Sequence, residues 1–290
     1  MTKIAFLASK ATLPGSPTRR SDAFEHDRMM DALRAPFAEN GMQLIDLDWA
    51  DRSIDWSQYA AAIIGTTWDY WDHHDQFVAT LKQIEQTTHL FNTAELVQWN
   101  SHKGYLRELA EKGARLIPTL WIDRIDDAAF TSAFKQLGSD DLVFKRQVGA
   151  GADGQFRLAP DDALPDMPHP MMVQPFLSKI QEEGEYSFIF IDGAFCHALL
   201  KTAKSGDYRI QSTYGGTETP IAPTEEDLGD ARAVLQTLRD TPLYARVDML
   251  RGDDRRLLLM ELELIEPYLY PLEGPQLGPM MAEAVQGRIR

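Results

Sequence analysis

Residues 244–266, YARVDMLRGDDRRLLLMELELIE, decide the fold, because two apolar runs flank a charged segment at residues 251–256. This pattern predicts two antiparallel strands joined by a loop. Side chains alternate across a strand with a period of two, so Tyr244, Arg246 and Asp248 lie on one face of the first strand. That face therefore carries a cation and an acid two residues apart.

The second strand of this pair is acidic on one face, which carries Glu261 and Glu263. Its opposite face carries Met260, Leu262 and Leu264. If Asp248 faces the same side as the glutamates, three carboxylates converge, with Arg246 nearby. Like charges this close raise each other's pKa unless a cation lies among them. Magnesium or manganese is the natural partner of oxygen-only ligands. The alternative is a charged, solvated outer face of an antiparallel sheet.

The length and composition are those of a globular protein of about two domains. Of the 290 residues, 44% are hydrophobic and 25% are charged, which is enough for a buried core. The net charge of −15 disfavours nucleic acid as a partner, since phosphate backbones select basic surfaces. The single cysteine, Cys196, excludes an internal disulfide. The chain shows neither a signal peptide nor a membrane span, so we expect a cytoplasmic protein.

The N-terminal part alternates strands and helices. Strands are predicted at residues 3–8, 43–48 and 60–65, and helices at 22–40 and 76–86. Together they form a small parallel α/β unit, in which ligands bind beyond the carboxyl ends of the strands. The loop TTWDYWDHHD lies there, so Trp68, Asp69 and Tyr70 are candidate substrate contacts. The aromatic rings could equally cover the end of the sheet. The adjacent histidines lack the spacing of helical metal ligands.

A glycine-rich loop at residues 149–154 lies between two predicted strands. Its glycines are Gly149, Gly151 and Gly154. Such a loop lets backbone N–H groups approach phosphate oxygens, although a plain glycine hairpin turn is the commoner explanation of the loop by itself. Lys145, in the strand before the loop, is placed to neutralise phosphate charge. Lys201 and Arg209, on later strands, are further phosphate-binding candidates or simple surface charges.

One ordered set of motifs runs along residues 100–267. It consists of Lys103, Lys145 with the glycine loop, VQPFL at 173–177, Glu185, Lys201, Arg209, RVD at 246–248 and ELE at 261–263. This order resembles the ATP-grasp superfamily, within it the glutathione-synthetase-like ligases. The phrases YARVDM, MELELIEP and TTWDYW are most similar to the O-ureidoserine cyclo-ligases of D-cycloserine biosynthesis. The resemblance implies a mixed α/β (α+β) ATP-grasp fold. Its parts are an N-terminal parallel α/β domain (1–95), a small central α+β subdomain (96–170) and a C-terminal antiparallel-sheet subdomain (171–290).

The resemblance implies an ATP site. Its residues are Lys103, Lys145, Gly149, Gly151, Gly154, Gln174, Phe176, Leu177, Glu185 and Lys201. The lysines and the glycine loop would surround the phosphates. Phe176 and Leu177 would line the adenine slot and bond the purine edge through their backbone, and Glu185 would hold the ribose hydroxyls. Gln174 stands where the family usually has a glutamate that reads the adenine amino group.

The resemblance also implies two Mg²⁺ ions, with Mn²⁺ as an alternative, held by Asp248, Glu261 and Glu263. Arg209 and Arg246 would stabilise the transferring phosphoryl group. The third metal ligand is commonly asparagine, so Glu263 adds a negative charge that could change the metal preference. The LIEPYLYP segment lacks the family's usual Pro-Gly ending beside the acceptor, which leaves the substrate class open.

The implied activity is ATP-dependent ligation of a carboxylate to an amine through an acyl-phosphate, which depends on charge neutralisation and alignment. The substrate would be small and amino-acid-like, and the ligation could be an intramolecular cyclisation. The alternative is a non-catalytic ATP-binding regulatory protein, and a kinase is a weaker third possibility. A homodimer is expected from the family and from how common two-fold assemblies are.

Overall fold

The structure of this chain is a computed structural model that describes residues 1–148, 154–204 and 215–290. In chain order the elements are β1 (Thr2–Ala8), α1 (Phe24–Glu39), β2 (Met42–Asp48), β3 (Ala61–Ile64), α2 (His74–Glu85), β4 (His89–Phe91), α3 (Ala94–Asn100), α4 (Tyr105–Glu111), β5 (Leu120–Ile122), α5 (Asp127–Leu137), β6 (Leu142–Arg146), β7 (Phe156–Leu158), β8 (Met171–Pro175), α6 (Lys179–Glu182), β9 (Glu185–Ile191), β10 (Ala194–Thr202), β11 (Thr217–Ile221), α7 (Glu225–Gln236), β12 (Tyr244–Arg251), β13 (Leu257–Glu263) and α8 (Leu277–Arg288). Short 3-10 helices lie at Trp56–Gln58 and Tyr70–His73. Within the described ranges, every helix is too short or too polar to cross a bilayer.

The N-terminal sheet is parallel, in the order β2-β1-β3-β4, which confirms the predicted parallel unit. β3 is buried along its whole length and β1 from Ile4 onward, as expected for a parallel sheet covered on both faces. α1 and α8 cover one face, and α2 and α3 cover the other. The C-terminal helix α8 thus completes the core of the N-terminal sheet. The loop that follows β3 leaves from the carboxyl edge of this sheet.

The central sheet has the order β5-β8-β6-β7 and is antiparallel throughout. α5 packs on it through Phe130 and Phe134. β6 and β7 pair with each other and flank the glycine-rich loop, as the sequence predicts. β8 begins at Met171 and bonds within this sheet. The exact domain boundaries at residues 95 and 170 stay predictions.

The C-terminal sheet is antiparallel, in the order β11-β10-β9-β12-β13, which confirms the predicted pair of strands. α4 and α7 pack against one of its faces, where Val247, Leu259 and Leu262 are fully buried. One face of the sheet is therefore core. The opposite face is free to carry the charged side chains of β12 and β13.

One residue of β13 departs from the predicted alternation. Asp248 pairs with Glu261, but Met249 pairs with Leu259, so Met260 is an extra residue on its strand. This β-bulge leaves Met260 half-buried, outside the buried face that carries Leu262. The predicted grouping of Met260 with the leucines is therefore wrong, because one inserted residue breaks a period of two.

Candidate active site

The register of β12 and β13 places the three predicted carboxylates at neighbouring positions of the two strands. Asp248 lies opposite Glu261, and Arg246 lies opposite Glu263. Side chains in such opposed positions typically have Cβ atoms about 4.5–5.5 Å apart. On the other side of β12, Asp248 lies opposite Ser187 of β9, whose hydroxyl donates to it. The sheet itself therefore sets the spacing of the acids.

Asp248 is buried and is compensated by two cations. Arg246 Nε lies 3.0 Å from Oδ2 and 3.2 Å from Oδ1 of Asp248, and Lys201 Nζ lies 3.4 Å from Oδ1. Burial would raise the pKa of Asp248, but Arg246 and Lys201 bring that pKa below its ordinary value. Asp248 is therefore an anion at neutral pH.

Glu263 shares Arg246 with Asp248. One guanidinium nitrogen of Arg246 donates to Glu263, and Nη1 donates to the Tyr268 carbonyl at 3.0 Å. Burial raises the pKa of Glu263 to about 7, because the opposing effect of Arg246 is partly cancelled by Asp248 and Glu261. The site thus contains a carboxyl group that gains or loses its proton near neutral pH.

Glu261 is paired with a lysine from a distant part of the chain, since Lys103 Nζ donates to it. Burial would raise the pKa of Glu261, but Lys103 lowers it. Lys103 is held there because its backbone N–H donates to the Gln147 carbonyl at 2.8 Å, just before the glycine loop. Lys145 lies in the same region, where burial lowers its pKa against the opposing effect of Glu261. Two of the three predicted phosphate-binding lysines, Lys103 and Lys145, therefore lie where they interact with Glu261.

The three carboxylates suit a hard divalent cation in type, since oxygen ligands are those that magnesium prefers. Among the described residues, however, no group of three or more acidic, histidine or cysteine side chains is arranged around a common point as metal ligands. Each carboxylate is turned to a basic partner: Asp248 to Arg246 and Lys201, Glu261 to Lys103, and Glu263 to Arg246. The carboxylate oxygens therefore fit Mg²⁺ chemically. In this structure basic side chains supply the positive charge beside them, so the metal assignment stays a prediction.

A second buried ion pair lies beside Asp248. Lys201 of β10 faces Glu185 of β9 in the register, and its ammonium group bonds the Glu185 carboxylate. Burial raises the pKa of Glu185 to about 7, although Lys201 opposes the shift. Burial would lower the pKa of Lys201, but Asp248 and Glu185 raise it. Glu185 is 1% exposed, and its predicted contact with ribose stays a prediction.

A narrow apolar cavity of about 50 Å³ lies on one side of the bulge. The residues that line it are Ile117, Val143, Lys145, Gln155, Gln174, Pro175, Phe176, Leu177, Ile180, Leu250 and Met260. Four predicted nucleotide-binding residues, including Phe176 and Leu177, therefore meet between the central and C-terminal sheets. The Gln174 amide donates to Thr119 Oγ1 at 2.9 Å, and the Phe176 backbone N–H donates to the Asp141 carbonyl at 2.8 Å.

A second cavity, of about 200 Å³, lies on the other side of the bulge. The residues that line it are Tyr70, Trp71, Asn100, Ser101, Lys103, Tyr105, Glu261, Leu262, Glu263, Ile265 and Glu266. Its floor is acidic, and two aromatic rings from the loop after β3 form a wall. Burial, Glu263 and Glu261 raise the pKa of Glu266 well above its ordinary value. Of the three predicted substrate residues, Tyr70 lines this cavity.

Trp68 and Asp69 hold the same loop in place. Trp68 Nε1 donates to the Glu266 carbonyl at 3.1 Å, and Trp49 Nε1 donates to Asp69 Oδ1 at 2.7 Å. Trp68 is 8% exposed and packs in the core beneath the N-terminal sheet. Trp68 therefore fixes the loop against the segment after β13, and Asp69 fixes it against Trp49, which directly follows β2. Contact of either side chain with substrate stays a prediction.

Sequence reasoning missed the side chains that hold the free edge of β13. The Asn100 amide donates to the Leu262 carbonyl at 2.9 Å, and its oxygen accepts the Leu264 N–H at 3.1 Å. The Tyr105 hydroxyl accepts the Leu262 N–H at 2.9 Å. β13 is an edge strand, so these side chains satisfy backbone groups that lack a strand partner. In the sequence, Asn100 is a polar residue at the end of a short helix, and that position does not indicate hydrogen bonds to the edge of β13.

Sequence reasoning also missed Glu266, Trp71 and Tyr270. The Tyr270 ring lies 5.8 Å from Lys201 Nζ and 5.6 Å from Arg246 Cζ, which covers the two cations next to Asp248. Tyr270 has a φ of 49°, a left-handed conformation that is uncommon for a bulky residue and is often found at functional sites. The backbone conformation is a signal that only the structure provides.

Three predicted site residues, Gly149, Gly151 and Arg209, lie outside the described residues, so their roles stay predictions. Gly154 is described, with a φ of 63° that favours glycine. It lies at the end of the glycine loop, next to the start of β7. Its phosphate role also stays a prediction.

Comparison with known proteins finds relatives along most of the chain. Residues 4–92 match the family model described as the N-terminal domain of D-cycloserine synthetase DcsG. The cycloserine biosynthesis protein DcsG of Streptomyces lavendulae is 27% identical over 244 residues, which cover 77% of this chain and 81% of that protein. Glutathione synthetase of Prochlorococcus marinus (strain MIT 9313) is 27% identical over 186 residues, 60% of this chain and 55% of that protein.

Solved structures share the whole architecture. The crystal structure of D-cycloserine synthetase DcsG has a TM-score of 0.83 at 22% identity, covering 99% of this chain and 100% of that chain. The ATP-grasp ligase PsnB, complexed with minimal precursor, Mg and ADP, has a TM-score of 0.67 at 13% identity, covering 99% and 97%. D-alanine–D-alanine ligase from Bacillus anthracis has a TM-score of 0.67 at 14% identity, covering 100% and 98%. The predicted resemblance to the ATP-grasp ligases is therefore confirmed, and this chain has the ATP-grasp fold.

Proposed function

We propose that this protein is an ATP-dependent ligase that joins a carboxylate to an amine through an acyl-phosphate. The observation that carries the proposal is the strand register that sets Asp248 opposite Glu261 and Arg246 opposite Glu263. This face lies between a cavity lined by predicted nucleotide-binding residues and a cavity lined by acids and aromatic rings. Similarity to DcsG and to glutathione synthetase supports a ligase.

In this proposal ATP binds between the central and C-terminal sheets. The adenine lies beside Phe176 and Leu177, and the phosphates extend toward Lys145 and Lys103. Burial lowers the pKa of Lys145. An anionic phosphate beside this lysine favours its charged form again, so Lys145 gains a partner when the nucleotide binds.

Asp248, Glu261 and Glu263 would hold two Mg²⁺ ions, for which Mn²⁺ would substitute. When bound, these ions would neutralise negative charge on the phosphate oxygens during phosphoryl transfer. Lys103 occupies one of the two carboxylate oxygens of Glu261, and that oxygen becomes available to a cation if Lys103 leaves it. ATP phosphates offer Lys103 an alternative anionic partner, so nucleotide binding and release of Glu261 are coupled.

The chemistry needs alignment rather than a nucleophile from the protein. A carboxylate oxygen of the substrate attacks the γ-phosphorus of ATP, and ADP leaves. The amine nitrogen then attacks the acyl carbon, phosphate leaves and the nitrogen loses a proton. Arg246 is fixed by Asp248 and by the Tyr268 carbonyl, so it presents a positive charge that does not have to reorganise. Arg209 would act with it. A preorganised group of this kind typically contributes about 10²–10³ in rate.

The substrate is small and amino-acid-like in this proposal. The acid-lined cavity of about 200 Å³ is smaller than the roughly 300–1,000 Å³ of pockets for drug-sized ligands. Tyr70 and Trp71 border it, with Trp68 and Asp69 fixing their loop. Similarity to D-cycloserine synthetase DcsG favours an intramolecular cyclisation over joining two molecules.

A homodimer is the assembly that we propose, and light scattering would measure its mass in solution.

The experiment that tests this function is a phosphate-release screen with ATP and Mg²⁺ over amino acids, amines and ureido compounds. A cyclo-ligase releases phosphate with one substrate, whereas an intermolecular ligase needs two. Mass spectrometry of the product must show the new C–N bond. Nucleotide binding without phosphate release for any compound would instead favour the regulatory alternative.

A further inference from the structure

Asn92 connects the N-terminal sheet to both strands that carry the active-site carboxylates. It directly follows β4 and is 3% exposed. Its side-chain nitrogen donates to the carbonyls of Tyr244 at 3.0 Å and Leu264 at 2.7 Å. Its side-chain oxygen accepts the Leu243 N–H at 2.8 Å. Tyr244 begins β12 and Leu264 directly follows β13, so one side chain bonds both strands at the same end.

The carboxamide supplies hydrogen bonds that the two strand ends cannot make with each other. The Tyr244 and Leu264 carbonyls both accept from Asn92, and two acceptors cannot bond one another. A carboxamide offers two N–H donors and an acceptor, which complements two carbonyls and one N–H. An aspartate of the same shape lacks both donors when ionised. The chemistry of the site therefore requires asparagine rather than its isosteric acid.

The backbone conformation at residue 92 also favours asparagine. Its φ is 60°, in the left-handed region that asparagine adopts more readily than most residues other than glycine. Asparagine therefore satisfies the conformation and the three hydrogen bonds together.

The backbone carbonyl and the backbone N–H of Leu264 are both hydrogen-bonded to asparagine side chains. Its carbonyl accepts from Asn92, and its N–H donates to Asn100. The Tyr244 hydroxyl adds a second connection, because it lies 2.7 Å from the carbonyls of both Ile64 and Ile265. Glu263 directly precedes Leu264, so the N-terminal domain fixes the backbone next to a predicted metal ligand.

We propose that Asn92 is a positioning residue that sets the separation of β12 and β13 where Arg246 faces Glu263. This inference rests on the proposed ligase function. Loss of the two N–H donors lets the strand ends separate and displaces Glu263 from Arg246. The apolar cavity at Phe176 touches β12 and β13 only at Leu250 and Met260, away from the strand ends that Asn92 bonds, so binding of adenine does not depend on the Asn92 contacts.

The test is Asn92→Asp, which keeps the shape, the left-handed conformation and the acceptor but removes the donors. Residues that orient metal ligands typically contribute about 10–100-fold in metal affinity or activity. We therefore expect kcat to fall about 10–100-fold and the affinity for Mn²⁺ in the presence of ADP, measured by electron paramagnetic resonance, to fall about tenfold. The affinity for ADP without metal should stay within about threefold, since a change of geometry at the carboxylates leaves binding of the nucleotide itself intact.

Two further variants separate positioning from general stability. Asn92→Gly keeps the backbone conformation and removes all three bonds, so it repeats the kcat and Mn²⁺ effects if Asn92→Asp fails to fold. Leu81→Ala removes a fully buried side chain of α2 from the core of the same domain and lowers the melting temperature, but it removes none of the hydrogen bonds that Asn92 makes. Leu81→Ala should retain the wild-type kcat and Mn²⁺ affinity at a temperature where all variants are folded.

The outcomes are distinguishable. An Asn92→Asp or Asn92→Gly protein with the same kcat and Mn²⁺ affinity as Leu81→Ala overturns the positioning role and leaves the ligase proposal intact. Wild-type protein that neither binds Mn²⁺ with ADP nor releases phosphate with any substrate overturns the ligase function and this inference with it.

Discussion

The two cavities on either side of the β13 bulge are built in opposite ways. The narrow one is lined mainly by apolar side chains, such as Phe176 and Met260, and Lys145 is the one cation among its described lining residues. The wider one has three glutamates and Lys103 in its wall. The first therefore offers a ligand mainly apolar contacts, whereas the charges of the second are compensated within the chain, as where Lys103 pairs with Glu261. Apolar packing therefore dominates the narrow cavity, and electrostatic interactions dominate the wider one.

The bulge itself makes this division possible. In a regular strand, neighbouring residues point to opposite faces, and Met260 would join the buried leucines. The extra residue instead lets Met260 line the narrow cavity while Glu261, next to it, lines the acidic one. Bulges are common next to active sites for this reason.

The largest expected effect is on the acidic side. Glu261→Ala should reduce ATP turnover at least about 10²–10³-fold, the cost of removing one group that stabilises developing charge. Circular dichroism and thermal unfolding should show an intact fold, since Glu261 is half-buried and lines a cavity rather than the core. Exposed Glu283→Ala is the matched control and should keep turnover. Unchanged turnover in Glu261→Ala would exclude the metal role.

A smaller effect is expected on the nucleotide side. Lys145→Ala should weaken ATP binding about 10–150-fold, since a hydrogen bond between charged groups contributes roughly 1.5–3 kcal/mol. Calorimetric titration of ATP would measure the dissociation constant. Lys135→Ala, at an exposed position of α5, is the control and should leave that constant unchanged. An unaltered constant in Lys145→Ala would remove the phosphate role and weaken the contrast between the cavities.

The smallest effect concerns pH. Because the pKa of Glu263 is raised to about 7, a proton competes with a cation for its oxygens below that pH. The affinity for Mn²⁺ in the presence of ADP should therefore fall by up to about tenfold from pH 7 to pH 6 and level off above pH 7. Glu263→Asn cannot titrate, so its pH dependence over this range should be weaker. An equal slope in wild type and variant would assign the titration to another group.

The same raised pKa makes a prediction for stability without metal. Between about pH 4.5 and 7 the folded protein holds a proton on Glu263 that the unfolded chain releases. The folded state thus binds more protons, so the free energy of unfolding falls as pH rises through this range. Urea titrations should show a shallower fall in Glu263→Asn.

The sequence predicted much of the acidic half and little of the contacts that assemble it. Asp248, Glu261 and Glu263 are visible from alternation alone, because a strand pair fixes which side chains share a face. Their basic partners are less visible, since Lys103 reaches Glu261 across 158 residues of chain. Asn92 and Asn100 gave no pattern at all, because their partners are backbone atoms of remote strands.

The sequence by itself determined the strand pairs, the parallel N-terminal unit and the acids and cations of the ATP-grasp motifs. These features follow from the periodicity of neighbouring residues and from the order of motifs along the chain. The tertiary structure alone decided which cation neutralises which carboxylate, where the bulge separates Met260 from the leucines, and how Asn92 connects two sheets. Those features depend on distances between residues far apart in the chain, which only the packing of the folded elements sets.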